Sequence, residues 1–162
     1  MSLAKPWQLT GGRVYVISGS RLIRNYWLFA RFMRDLLKDR SKEDTILLQG
    51  DAHFGVDRLA RIFAKRDGWR GVGWPANWDV EGRKAGHVRN ASMLENADEL
   101  FAFWDGESKG TKNAVDTGKR KGIPTTLIVI EPIADAEDRN IESIVKYRRL
   151  GDRARSKLQI RG

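Results

Sequence analysis

The sequence predicts an α/β domain, a three-layer αβα sandwich around a mainly parallel sheet, and three observations carry that expectation. Short β-branched runs alternate along the chain with amphipathic stretches at helical spacing. Three of those runs end in glycine-bearing loops that lead into helices. The 162 residues, 41% of them hydrophobic, suit one domain with a single core.

The elements follow in order. RVYVIS (13–18) reads as a buried first strand ending at Gly19, and Tyr26, Phe29, Met33 and Leu36 or Leu37 fall at helical spacing within 24–39. TILLQ (45–49) is a second buried strand. Val56, Leu59, Ala60 and Phe63 mark the apolar stripe of a second helix that Gly68 ends. A weaker third strand is expected around Val72 to Trp74, then a polar loop, ANWDVEGRKAG, and a helix near 86–96. ELFAFW (99–104) is the fourth strand, GTKNAVDTGKRKG (110–122) a helix stopped by Gly122 and Pro124, and TTLIVI (125–130) the fifth. A last helix near 137–150, with Ile141, Ile144 and Val145 inward, is expected on the edge. Such alternation implies a parallel sheet with right-handed crossovers, Rossmann-like, with core strand order 3-2-1-4-5. Residues 1–12 form an N-terminal extension, 13–150 the domain and 151–162 a basic C-terminal tail.

Composition narrows the function classes. Cysteine is absent, which excludes disulfides, thiolate metal sites and a thiol nucleophile, and two histidines make a histidine-built zinc site unexpected. No metal and no cofactor is assigned. No apolar run approaches the roughly 20 residues that span a bilayer, and the N-terminus lacks a secretory h-region, so a cytoplasmic protein without a membrane partner is expected. The net charge is +9. Residues 1–138 hold 22 basic and 19 acidic side chains, whereas 139–162 hold 8 and 2. The excess therefore sits mainly in the tail, which reads as a solvated helix face before it reads as a nucleic-acid contact.

In an open parallel sheet, loops leaving the carboxyl ends of the strands converge at the topological switch point. The three here are Gly19-Ser20-Arg21, the stretch from Gly50 to Gly55, and Asp105-Gly106-Glu107-Ser108-Lys109-Gly110-Thr111. Glycines let a backbone approach a ligand, helix-start amides attract anions, and hydroxyls with cations beside them suit phosphate. Each glycine also has a plain steric role in a strand-to-helix turn. No Walker lysine motif or dinucleotide glycine fingerprint is present, so an ordinary dehydrogenase or P-loop hydrolase is disfavoured. The expected ligand-binding set is Gly19, Ser20, Arg21, Gly50, Gly55, Asp57, Arg89, Asn90, Gly106, Ser108, Gly110 and Thr111. The phosphate is expected over Gly19, Ser20, Gly110 and Thr111, with amides at two helix starts, near Ser20 and near Thr111, facing one hollow. Trp78 and Trp104 are candidates to stack on a base, and Asn77 is a candidate hydrogen-bonder. Trp27 reads as helix packing, and His53 and His87 read as loop or helix-surface residues.

VISGSR, GDAHFGVDRLA, WPANWDVEGRKAGHVRN and ADELFAFWDGESKGT, in unbroken order over roughly 13–130, resemble the YspA-type, cpYpsA-related branch of the SLOG superfamily. That resemblance implies a Rossmann-like fold that binds nucleotides or nucleotide-derived signals. The chain is more distantly similar to the lonely-guy phosphoribohydrolases. There Arg89 matches a helix arginine before the fourth strand, and Gly106, Gly110 and Thr111 match parts of a phosphate loop. Asp105 and Glu107 depart from that loop, and Ala114 stands where the catalytic glutamate is expected. Asp116, about 200° further around a helix of 3.6 residues per turn, does not replace it.

Three functions follow in order of expectation. The first is a sensor or accessory module holding a nucleotide-derived phosphorylated small molecule, without turnover. The second is a nucleotide N-glycosidase or phosphoribohydrolase with a relocated carboxylate, for which Asp57 and Arg89 are the weak catalytic candidates. The third is single-stranded DNA binding through the basic tail and interleaved aromatics, which similarity to the DNA-processing branch suggests. A homo-oligomer would protect two sheet edges, though no interface is specified.

Overall fold

β-Branched and aromatic runs fill the centre of a twisted sheet in the computed structural model, which describes residues 6–130 with side chains and the backbone of 144–150 and 156–160. The strands are β1 (Arg13–Gly19), β2 (Thr45–Gln49), β3 (Arg70–Gly73), β4 (Glu99–Trp104), β5 (Thr125–Ile130), β6 (Ile144–Leu150) and β7 (Ser156–Ile160). The first five are parallel in the order 3-2-1-4-5, the Rossmann-like α/β arrangement expected from the sequence. The helices are α1 (Tyr26–Leu36), α2 (Val56–Asp67), α3 (Trp78–Glu81), α4 (Ala85–Glu95) and α5 (Lys109–Arg120).

Side-chain alternation along the strands separates two cores. Tyr15 and Ile17 of β1, with Leu47, Phe101 and Phe103, face Phe29 and Met33 of α1 and Phe63 of α2. Val14 and Val16, with Ile46, Leu48, Leu100 and Ala102, face Met93 and Leu94 of α4 and Val115 of α5. Helices therefore cover both faces, and the reversal of strand order lies between β1 and β4. There Gly19 registers with Phe103, while Ile17 registers with Gln49 of β2 on the other side. The loops after β1, β2 and β4 thus leave the same edge of the sheet.

Local chemistry sets the helix ends. Asn25 caps α1 by accepting from the Leu28 amide at 3.1 Å, Gly68 ends α2 at φ +78, and Ser108 caps α5. A short 3-10 turn at Trp7–Leu9 precedes β1 and buries Leu9 in the second core. Arg70 on β3 donates to the carbonyls of Thr10 (2.7 Å) and Gln8 (2.6 Å), fastening that turn to the sheet edge.

Two expectations are corrected. The helix proposed over 137–150 is not what Ile144–Leu150 forms: these residues are β6, antiparallel to β5 from Thr125↔Leu150 to Ile130↔Val145. Isoleucine, valine and tyrosine in this run favour strands, and β5 would otherwise present an open row of backbone groups. Ile141 lies outside the described residues. β7, within the segment read as a basic tail, pairs antiparallel with β6. The polar stretch after β3 is also more ordered than expected, since Asn77 caps the single turn α3 and a 3-10 turn follows at Gly82–Lys84.

Candidate functional site

A cavity of about 470 Å³ opens where the loops after β1, β2 and β4 meet α3 and α4. That volume falls within the range of small-molecule pockets. Of the expected set, Gly19, Ser20, Arg21, Gly50, Asp57, Arg89, Asn90, Ser108, Gly110 and Thr111 line it. Gly55 and Gly106 do not. Gly55 instead lies against the first loop at φ +74, where a Cβ would stand 2.3 Å from Arg21 Cα and 2.4 Å from the Ser20 carbonyl oxygen. Gly106 takes φ +88 in the turn after β4.

The two loops nearest the switch point are tied together. Ser20 Oγ donates to Asp105 Oδ2 at 2.6 Å and accepts from the Leu22 amide at 3.0 Å. Asp105 Oδ1 accepts the amides of Glu107 (2.9 Å) and Ser108 (2.8 Å). Burial pushes the Asp105 carboxyl upward, but the Ser20 hydroxyl and these amides outweigh it and hold the group below the usual carboxylate range. Trp104 Nε1 donates to the Ser108 carbonyl at 3.0 Å, so this ring braces the loop and lies outside the cavity, which corrects its expected place beside a base.

The expected pair of anion-facing amides is corrected as well. Ser20 and Thr111 do line one hollow, but the Ser20 amide donates to the Phe103 carbonyl at 3.0 Å and the Thr111 amide donates to Ser108 Oγ at 3.4 Å. α1 begins only at Tyr26, so Ser20 is not at a helix start. An anion here would meet side chains before those amides.

Arginines supply that chemistry. Arg89, on α4, donates from Nη1 to the Gly50 carbonyl (2.5 Å) and from Nε to Asn90 Oδ1 (3.0 Å). Asn90 is itself buried, donating from Nδ2 to the Gly110 carbonyl and to Asn113 Oδ1. Asn90 therefore positions Arg89 and joins α4 to α5. Gly50 is required for this packing, since a Cβ there would stand 2.4 Å from Arg89 Nη1. Burial lowers the Arg89 guanidinium from its usual value; Asp57 opposes that shift and Arg21 adds to it.

Asp57, in the first turn of α2, is buried beside Gly50 and accepts the Ala52 amide at 3.1 Å. Burial raises its carboxyl above the usual range despite the amides of Ala52 and Gly50 and the charge of Arg89. Arg61 braces the same loop, donating to the Ala52 carbonyl at 2.8 Å. Ala114 is buried away from the cavity, and Asp116 is exposed and paired with Lys112 at 2.9 Å. Neither offers a carboxylate to the site.

Sequence reasoning missed Phe54, Leu22 and Arg83, and assigned His87 to a helix surface; all four line the cavity. Helical spacing from Arg89 does not find them, since His87 is two residues away, about 200° around α4, and Arg83 lies in the separate turn Gly82–Lys84. Phe54, exposed between His53 and Gly55, carried no periodic signal. Trp78 lines the cavity, whereas Asn77 caps α3 and His53 lies outside. Trp27 is partly exposed, edge-on to Tyr26 and beneath Arg66. Among the described residues no cluster of three His, Asp or Glu could hold a metal ion, and no helix is long and apolar enough to cross a membrane.

No family model matches the chain. Over 123 residues the chain is 32% identical to the Gene 61 protein of Mycobacterium phage D29, an alignment covering 69% of this chain and 93% of that protein.

Proposed function

The chain belongs to the family of the Gene 61 protein of Mycobacterium phage D29, and we propose that it binds a nucleotide-derived phosphorylated small molecule in the cavity at the carboxyl ends of its parallel strands. One observation carries the proposal. Three arginines, Arg21, Arg83 and Arg89, line the cavity, and none forms an ion pair among the described residues. Of the three carboxylates on the cavity wall, Asp57 accepts a backbone amide, Asp105 takes two amides and a hydroxyl, and Glu107 is exposed in the loop after β4. Arginines without a carboxylate salt bridge in a concave site are complementary to a dianionic group; Arg89 is already held by the Gly50 carbonyl and Asn90, which leaves Arg21, Arg83 and its remaining N–H groups to meet phosphate. The resemblance to the YspA-type branch of the SLOG superfamily supports the same ligand class.

Thermal unfolding with ribose 5-phosphate and with nucleoside monophosphates tests this. The wild-type protein is expected to be stabilised, by about 2.7 kcal/mol at a hundredfold excess over Kd. Arg21→Ala and Arg89→Ala should stay folded and lose that shift. Undiminished shifts in both variants, or none in the wild type with any of these ligands, would count against the site.

A buried carboxylate on the cavity wall also favours a second function, cleavage of the base from a nucleoside monophosphate, with Asp57 stabilising positive charge on the ribose. Incubation with the four ribonucleoside monophosphates, followed by chromatography for free base, decides it. Release that Asp57→Asn abolishes would establish turnover, and no release across the panel would rule it out for those substrates.

A further inference from the structure

Resting on the phosphorylated-ligand site proposed above, we infer that the mouth of the cavity is a base-stacking platform formed by Phe54 and Trp78, which makes the bound ligand a nucleotide rather than a sugar phosphate. Large apolar side chains are seldom left in water without a role when they gather at one concave site. Phe54 is 64% exposed, Trp78 53% and Leu22 57%, and all three line the same cavity as the arginines. They come from three separate segments: the loop after β2, the turn α3 and the loop after β1. No local sequence pattern would place them together, so their convergence belongs to the site.

The surroundings of Trp78 fit that role. Asn77 caps α3 through the Val80 amide, which fixes the turn that carries the ring. Gly86, at the start of α4, has no side chain to fill the space beside the ring: a Cβ there would stand 3.6 Å from Trp78 Cη2. The indole therefore rests along the helix start with much of its surface open.

The division of chemistry within one cavity selects the ligand class. Arg89 reaches inward to the Gly50 carbonyl, beside the buried Ser20 and Thr111 and the half-buried Ser108, whereas Phe54 and Trp78 are exposed, as are Arg21 and Arg83. An anion held inside and a flat apolar group held at the opening describe a nucleoside monophosphate. A sugar phosphate would leave both rings in water. A base on either ring gains stacking energy without reading its identity, because every base offers a π-face.

The experiment compares affinities of the full-length wild-type protein, Phe54→Ala, Trp78→Ala and Trp78→Phe for ribose 5-phosphate, the four ribonucleoside 5′-monophosphates and a short oligodeoxythymidylate. At least one monophosphate should bind the wild type about tenfold or more tighter than ribose 5-phosphate. Trp78→Ala and Phe54→Ala should each remove most of that margin and leave ribose 5-phosphate affinity unchanged, while Trp78→Phe keeps most of it. Both rings are exposed, so the variants are expected to fold. Equal affinity for ribose 5-phosphate and every monophosphate would overturn the platform and leave the phosphate site standing. Binding of neither would remove the site and the platform together. Binding of the oligonucleotide alone would overturn the platform as a mononucleotide device and assign the rings to a polymer.

Discussion

Ser20 Oγ and Asp105 Oδ2 lie 2.6 Å apart, a hydrogen bond that joins the loops leaving β1 and β4 across the point where strand order reverses. Asp105 also gathers two amides of its own loop. Asp105→Ala is expected to cost about 1–3 kcal/mol, because those donors lose their acceptor. The effect should depend on pH with a definite sign. A carboxyl held below its unfolded value contributes fully above the unfolded pKa, near 4, and loses that contribution as pH falls through the folded one. Denaturant titrations of wild type and Asp105→Asn should therefore converge below about pH 4. A gap that persists unchanged into acid would show that the charge of Asp105 plays no part.

Gly50 and Arg89 make a second test through packing. An alanine methyl at 50 would overlap the guanidinium at 2.4 to 2.6 Å, so the arginine must leave its place. Gly50→Ala should push aside the flexible end of Arg89, cost about 1 kcal/mol for the hydrogen bonds that side chain gives up, and weaken binding of ribose 5-phosphate as much as Arg89→Ala does. The double variant should be no worse than Gly50→Ala alone, a non-additivity that a double-mutant cycle measures. Strict additivity would mean that the two positions do not share the space.

Asp57 should show the opposite pH dependence to Asp105. Burial raises its carboxyl, so folding favours the protonated form, and stability attributable to this group falls as pH rises from the unfolded pKa, near 4, through the raised folded value. Asp57→Asn, which cannot ionise, should gain on the wild type across that window and hold its advantage above it. Chemical denaturation between about pH 3.5 and 8 reads the difference directly. A difference that does not change with pH would mean that the carboxylate is solvated.

At Gly55 the backbone itself is the obstacle. With φ +74 and Arg21 Cα 2.3 Å from any Cβ, Gly55→Ala should destabilise by about 3 kcal/mol or more, well beyond the effect of the same change at Gly110, where a Cβ meets open space. Urea unfolding of the two variants gives the comparison, and equal losses would refute the claim of a close loop-to-loop contact.

Much of this architecture was readable before any coordinates. β2 and β4 match their expected bounds because TILLQ and ELFAFW are buried throughout or nearly so, and such runs stand out from their polar flanks. The crossing of loops at the switch point follows from alternation of strand and helix, which is why ten of the twelve expected residues share a cavity. What the sequence hid was of another kind. Ile144 and Val145 serve helix or strand equally well in a period count, and strand propensity together with the open side of β5 decides for a strand. Ser20 looked like an anion donor because its loop ends a strand, but the Phe103 carbonyl one strand away takes its amide. Phe54 and Leu22 belong to the cavity through the packing of distant segments, and spacing along one chain carries no record of that, whereas Trp78 stood out as a tryptophan in a polar loop.

Arg70 closes the far flank of the sheet in a way that matters for handling the protein. Its guanidinium donates to carbonyl groups of the turn ahead of the first strand, and Leu9 from that turn fills a place in the second core. A version trimmed to begin at Arg13 would strand a cation beside β3 and open a leucine-sized void beneath β1. Expression trials should retain residues 6–12, because the short helical turn they contain is part of the folded body.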